Sequence, residues 1–135
     1  MASSDKKKPS GDILTDKEIK EISILNPSEI NQKILLLLQT IKSSSDLHHE
    51  LNIKTLSYIA TLNKTYHDII FPFFIDFIKS CNDRNIETLF EIISKAMLEE
   101  DRANLFYAIE ERIVDLHKDQ IDKINKILKT FNIKP

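Results

Sequence analysis

One glycine, Gly11, stands in a chain of 135 residues, and its scarcity limits the backbone more than any other feature. Glycine reaches positive φ without steric cost and lets a phosphate approach the main chain. Past Gly11 the chain has neither glycine-built hairpin turns nor a phosphate-cradling loop, so its connections are helix-to-helix links. Pro9, Pro27, Pro72 and Pro135 fall near the ends or near expected helix starts, where a missing N–H costs little. This punctuation predicts an all-α fold.

A chain of this length suits one domain and buries roughly two thirds of the surface it exposes when unfolded. Apolar residues make up 41% and charged residues 30%, which separates the sequence from disordered polar chains and from membrane proteins. The net charge is −2, with Lys and Arg interspersed among Asp and Glu, which argues against binding nucleic acid mainly by phosphate neutralisation. A single cysteine, Cys81, excludes an internal disulfide, and the first residues lack the apolar stretch of a signal peptide; an intracellular location is expected. The strongest apolar run, Ile69 to Ile78, is broken by Pro72 and Asp76 and falls short of the ~20 residues a bilayer requires.

Residues 1–14, with Lys6, Lys7 and Lys8 ahead of Pro9, Ser10 and Gly11, read as a flexible tail. From Thr15 to Leu25 two readings stay open. Thr15 with Glu18 suits a capping box, while Ile19, Ile22, Ile24 and Leu25 also suit a short extended segment. The first definite helix starts at Asn26, a capping residue followed by Pro27 at the first helical position and by Glu29, which can reach back to the Asn26 N–H. Ile30, Ile34, Leu37, Leu38 and Ile41 share one stripe of it, whereas Leu35 and Leu36 point elsewhere.

Past a polar link at Ser43 to Ser45, periodicity predicts five more helices. The second carries Ile53, Leu56, Ile59 and Ala60. The third starts near Asp68, keeps Pro72 in its first turn, and carries Ile70, Phe73, Phe74, Phe77, Ile78 and Cys81. The fourth runs from about Asn85 to Met97 with Ile86, Leu89, Phe90 and Ile93. The fifth holds Phe106, Ile109 and Ile113. The sixth, after a charged link around Asp115 to Asp119, holds Ile121, Ile124, Leu128 and Phe131.

Catalytic chemistry finds little footing. His48, His49 and Glu50 lack the second histidine of a metalloprotease helix, since Asn52 and Ile53 stand four residues on, and they read as a surface cluster. His67 beside Asp68 suggests a base with its orienter, but adjacent helical residues diverge. Cys81 on an apolar stripe reads as an inert buried thiol. Glu99, Glu100 and Asp101 suit a helix start, where the macrodipole favours carboxylates without any metal. Phe71, Phe73, Phe74 and Phe77 at helical spacing read as core, not as a platform for stacking bases. No catalytic residue, metal site or cofactor is expected.

Three stretches carry a resemblance: Leu25-Asn26-Pro27-Ser28-Glu29-Ile30, Lys54-Thr55-Leu56-Ser57-Tyr58-Ile59-Ala60, and Leu105-Phe106-Tyr107-Ala108-Ile109-Glu110-Glu111-Arg112. In order and spacing they resemble the small stalk subunit family of RNA polymerases, which includes the fourth subunit of RNA polymerase II and its counterparts in RNA polymerase III and in the archaeal enzyme. The resemblance extends from about Ile22 to Phe131. It implies an HRDC-like helical bundle at 46–135, of the kind appended to some helicases and RNases, preceded by an N-terminal arm and first helix at 15–45, about six helices in all.

It further implies a non-catalytic subunit paired with a larger stalk subunit that carries an oligonucleotide-binding barrel. The other implied partners are the polymerase core and initiation factors; nucleic acid is met mainly through the larger subunit, and no membrane is involved. Location would be nuclear in a eukaryote and cytoplasmic in an archaeon. Ile22, Ile24, Leu25, Asn26, Ser28, Glu29 and Ile30 then belong to the partner-binding arm. Leu35 and Leu36 join them on separate grounds, as apolar surface that an isolated bundle leaves uncovered. The competing reading is a free-standing helical adaptor that takes a partner's helix in a groove lined by the phenylalanines of the third helix.

Overall fold

The start of a helix leaves four N–H groups without partners, and side chains that reach back decide where it begins. In the computed structural model, which describes residues 13–43 and 49–135, seven α-helices and no strand form among the described residues. Helix α1 is Asp16–Ser23, α2 Pro27–Ser43, α3 Glu50–Ala60, α4 Lys64–Ser80, α5 Ile86–Ser94, α6 Arg102–Ile113 and α7 Lys118–Thr130. A 3₁₀ turn, Glu99–Asp101, precedes α6.

Helix α1 is the one that the open reading of Thr15 to Leu25 left undecided. Its capping box closes: the Glu18 N–H donates to Thr15 Oγ1 at 3.2 Å and the Thr15 N–H donates to Glu18 Oε1 at 2.9 Å. Helix α2 opens as expected, with the Glu29 N–H donating to Asn26 Oδ1 at 2.8 Å and the Asn26 N–H to Glu29 Oε1 at 2.9 Å. Ile13 and Leu14, assigned to the tail from sequence, are buried. The rest of the expected tail, His48, and the expected boundary between 45 and 46 lie outside the described residues.

Helix α4 differs from expectation at its start. Asn63 caps it, accepting from the Tyr66 N–H at 2.9 Å, so the helix begins at Lys64 and not near Asp68. Pro72 consequently sits in the helix interior, where it withholds the N–H that the Asp68 carbonyl would receive, a defect of ~3 kcal/mol in an isolated helix. Phe71, Phe74, Phe77 and Ile78 around it are all buried, each contributing ~1.5–3 kcal/mol that offsets it. Phe71 belongs to this buried stripe and Phe73 is only half-buried.

The chain resolves into two compact units, Met1–Ile70 and Phe71–Pro135, with the division inside α4. In the first, α2 packs on α3; Ile30, Ile34 and Ile41 of α2 and Ile53, Leu56, Ile59 and Ala60 of α3 are buried. In the second, α5 packs on α7, with Ile86, Leu89, Phe90 and Ile93 buried on one and Ile124 and Ile127 on the other. Helix α5 stops at Ser94, short of Met97; the buried Ser94 hydroxyl donates back to the Phe90 carbonyl at 2.8 Å, a competing bond that weakens helix ends. Helix α6 buries Leu105, Ala108 and Ile109, while Phe106 and Ile113 are half-buried, so its inward stripe is rotated from the expected one.

One helix end needs the left-handed backbone that glycine usually supplies. At the end of α7, Asn132 takes φ 55°, the Ile133 N–H donates to the Leu128 carbonyl at 2.8 Å, and the Asn132 N–H to the Lys129 carbonyl at 3.2 Å. This is a Schellman ending with asparagine at its turning point.

Candidate partner-binding surface

The residues expected to meet a partner separate by burial. Ile22 and Ile30 are 3% and 8% exposed, so they anchor the arm to its own core and have no surface to offer. Leu25 is half-buried, and its N–H donates to the Ile22 carbonyl at 3.0 Å. Asn26, Ser28 and Glu29 are exposed, but Asn26 and Glu29 are already engaged with each other. Ile24, Leu35 and Leu36 remain, at 77%, 63% and 63% exposed.

These three are aliphatic side chains that stand exposed among the described residues. Leu35 borders a shallow depression of about 500 Å³ together with Leu38, Gln39, Lys42 and Ser43. Leu36 lies about 100° further round the helix, where the Thr40 hydroxyl donates to its carbonyl at 2.8 Å. Two adjacent leucines at that angle are not covered by one flat contact. A partner that covers both must curve round α2.

The second unit holds a polar pocket of about 400 Å³ at the loops following α4 and α6. Arg112 donates through one guanidinium nitrogen to the Cys81 carbonyl at 2.6 Å and the Lys79 carbonyl at 3.4 Å, satisfying groups at the end of α4. Gln120 donates to the Arg84 carbonyl at 2.7 Å and to Glu87 Oε1 at 2.8 Å, and its own Oε1 accepts the His117 N–H that opens α7. These polar groups tie loops together. Asp83 and Asp115 balance Arg84 and Arg112 around the pocket, so it favours neither anion nor cation. Sequence reading missed it because its bonds join residues more than thirty apart.

The other singled-out residues have defined places. His49 is buried at the start of α3 and not on the surface as read, and Glu50 pairs with Lys54 at 3.3 Å. His67 and Asp68 do not diverge: His67 Nδ1 and Asp68 Oδ1 are 2.8 Å apart, with His67 buried and Asp68 exposed. The Lys64 ammonium on Asp68, followed by the His67 ring, holds that carboxyl below its usual range. Cys81 is buried and free, and burial pushes its thiol up, away from the reactive thiolate. Phe71 and Phe74 meet edge to face at 5.4 Å, and Phe73 and Phe77 stack at 6.0 Å, as ring pairs of an interior.

Among the described residues no helix is long and apolar enough to cross a membrane. Neither a family profile, nor a curated protein, nor a solved structure matches this chain.

Proposed function

We propose that this chain works by binding, as a non-catalytic helical subunit whose α1–α2 arm docks on a larger partner. The observation that carries the reading is the exposure of Leu35 and Leu36 at 63% each on a helix whose Ile30, Ile34 and Ile41 are already buried. Covering a leucine contributes ~1.5–3 kcal/mol, which favours a second surface over two uncovered side chains. The resemblance of Leu25 to Ile30, Lys54 to Ala60 and Leu105 to Arg112 to the small stalk subunits of RNA polymerases supplies the identity of that partner, the larger stalk subunit with its oligonucleotide-binding barrel. In this role the chain supports transcription initiation, the bundle is left for the polymerase core and initiation factors, and RNA is contacted by the larger subunit. Near-neutral charge agrees with that division.

The free-standing adaptor needs a groove lined by the phenylalanines of α4. Phe71, Phe74 and Phe77 are buried, so such a groove would have to open before a helix entered it.

The test is co-purification of a Leu35→Asp/Leu36→Asp variant with the larger stalk subunit, beside a thermal melt of the variant alone. An unpaired carboxylate in each leucine's place adds a desolvation cost to the lost burial, so binding should fall by orders of magnitude while the melt is unchanged. Undiminished binding would exclude α2 as the docking element. Failure of the wild-type chain to bind any polymerase stalk subunit would remove the polymerase assignment.

A further inference from the structure

Helix α6 has an outward face as well defined as its buried one. With Leu105, Ala108 and Ile109 inward, Tyr107, Glu110, Glu111 and Val114 fall together on the opposite side, within an arc of about 100°. Tyr107 is 55% exposed, Val114 is 84% exposed, and both glutamates are exposed. The half-buried Phe106 ring meets Tyr107 edge to face at 5.6 Å and steadies it. Among the described residues neither glutamate has an ion-pair or hydrogen-bond partner. Both stand in the last turn of the helix, at the negative end of its dipole, where carboxylates are unfavourable. An aromatic ring, a valine and two unpaired acids kept there against local preference describe a contact surface and not a merely solvated face.

The chemistry of this face selects its partner. Tyr107 and Val114 are seven residues apart, two turns and about 10.5 Å, with Glu110 and Glu111 between them, three and four residues after the tyrosine. Two uncompensated carboxylates repel the phosphates of nucleic acid and the anionic headgroups of a bilayer. A cationic side chain meets the opposite: an aromatic ring to lie against and a carboxylate on either side of it. The middle of a helix has its backbone groups already paired, so an extended segment laid on it would find no main-chain partners. A helix brings its own backbone bonds with it.

We propose that the outer face of α6 docks a basic amphipathic helix of another protein, whose apolar side chains cover Tyr107 and Val114 and whose Lys or Arg side chains meet Glu110 and Glu111. The contact uses a different helix from the leucines of α2 and does not rest on the stalk reading. A single helix-on-helix contact buries less than the ~1,200 Å² of a stable complex, so the association is weak, and its charge pairs make it salt-dependent.

An NMR titration of the full chain tests this. The probe is an alanine-based helical peptide with leucine at every seventh position and lysine three and four residues after each leucine; its twin carries glutamate in place of every lysine. The lysine peptide should shift amide resonances of α6, less at high salt, and the glutamate twin should not. Glu110→Gln/Glu111→Gln should weaken the affinity at least about tenfold without lowering the melting temperature. Tyr107→Ser, which keeps every charge, should weaken it at both salt levels. Asp16→Asn/Glu21→Gln takes the same charge from α1 and should leave the affinity within about twofold. A wild-type chain that does not bind the lysine peptide, shifts that fall outside α6, or equal losses in the two neutralised variants overturn the proposal.

Discussion

Helices α2 and α4 have the same length, 17 residues, and opposite fates. Helix α4 carries a proline in its interior and still holds, because Phe71, Phe74, Phe77 and Ile78 are buried around the defect. Helix α2 has no such defect and an intact capping box, yet leaves Leu35 and Leu36 in solvent. What matters is where apolar side chains fall around the axis, not how many there are: four consecutive leucines sweep about 300° of a helix, more than any one core covers. Surplus apolar surface on a well-formed helix points outward; around Pro72 of α4 it is consumed in holding a strained segment.

The largest effect that can break this contrast is at Phe74. Phe74→Ala should cost ~3–5 kcal/mol in denaturant unfolding, because a fully buried ring leaves a cavity, whereas Leu36→Ala should stay within ~0.5 kcal/mol. Equal losses at the two sites would mean that α2 is as deeply committed to the fold as α4. Next comes Arg112→Met, which removes the cationic donor at the Lys79 and Cys81 carbonyls; a loss of ~1.5–3 kcal/mol in the same assay is expected, and a neutral result would show that water serves those carbonyls equally well.

The two caps sharpen the comparison further. Asn26→Ala and Asn63→Ala should each lower stability by ~1 kcal/mol. Helix α2 also holds the return bond from the Asn26 N–H to Glu29, so Glu29→Ala should lower the melt as well; an unchanged melt would show that the Asn26 side chain caps α2 alone. The smallest effect concerns pH. Asp68 titrates below its ordinary 3.8, held down by Lys64 and then His67. A depressed carboxyl stabilises the fold above the unfolded value and loses that contribution as pH falls through the folded one. Melts of the wild type and Asp68→Asn should therefore converge below pH 3.8, with the wild type slightly ahead at neutral pH; a gap that widens in acid would mean the carboxyl is not held by these partners.

Local signals carry much of the fold. Asn26, Pro27 and Glu29 mark the start of α2 because cap, proline and return carboxylate act within four residues, and the off-stripe position of Leu35 and Leu36 follows from helical geometry alone. Eight residues are too few for periodicity to separate helix from strand in α1. The start of α4 is misplaced from sequence because Pro72 suggests a first turn, although Asn63 offers the cap nine residues earlier. In α6 the aromatic Phe106 draws the expected stripe towards itself, when Leu105 and Ala108 turn inward. Of the arm, sequence names both the residues that are exposed and the two, Ile22 and Ile30, that packing conceals; burial is a property of the neighbours, which one segment does not reveal. The bonds of Arg112 and Gln120 have no local signature at all.

Helix ends here are fixed by Thr15, Asn26, Asn63, Asp101 and Gln120, and the left-handed turn after α7 by Asn132, all without glycine. The consequence concerns how such a sequence changes over generations. A junction that requires glycine admits almost no substitute, whereas Ser, Thr, Asp and Asn replace one another as caps with small penalties, and losing a cap altogether subtracts only ~1 kcal/mol. Each boundary therefore offers several near-neutral spellings, and drift can pass through them singly without unfolding a marginally stable domain. A glycine-poor helical chain is in this sense a permissive one: its architecture can persist while the letters at its corners turn over.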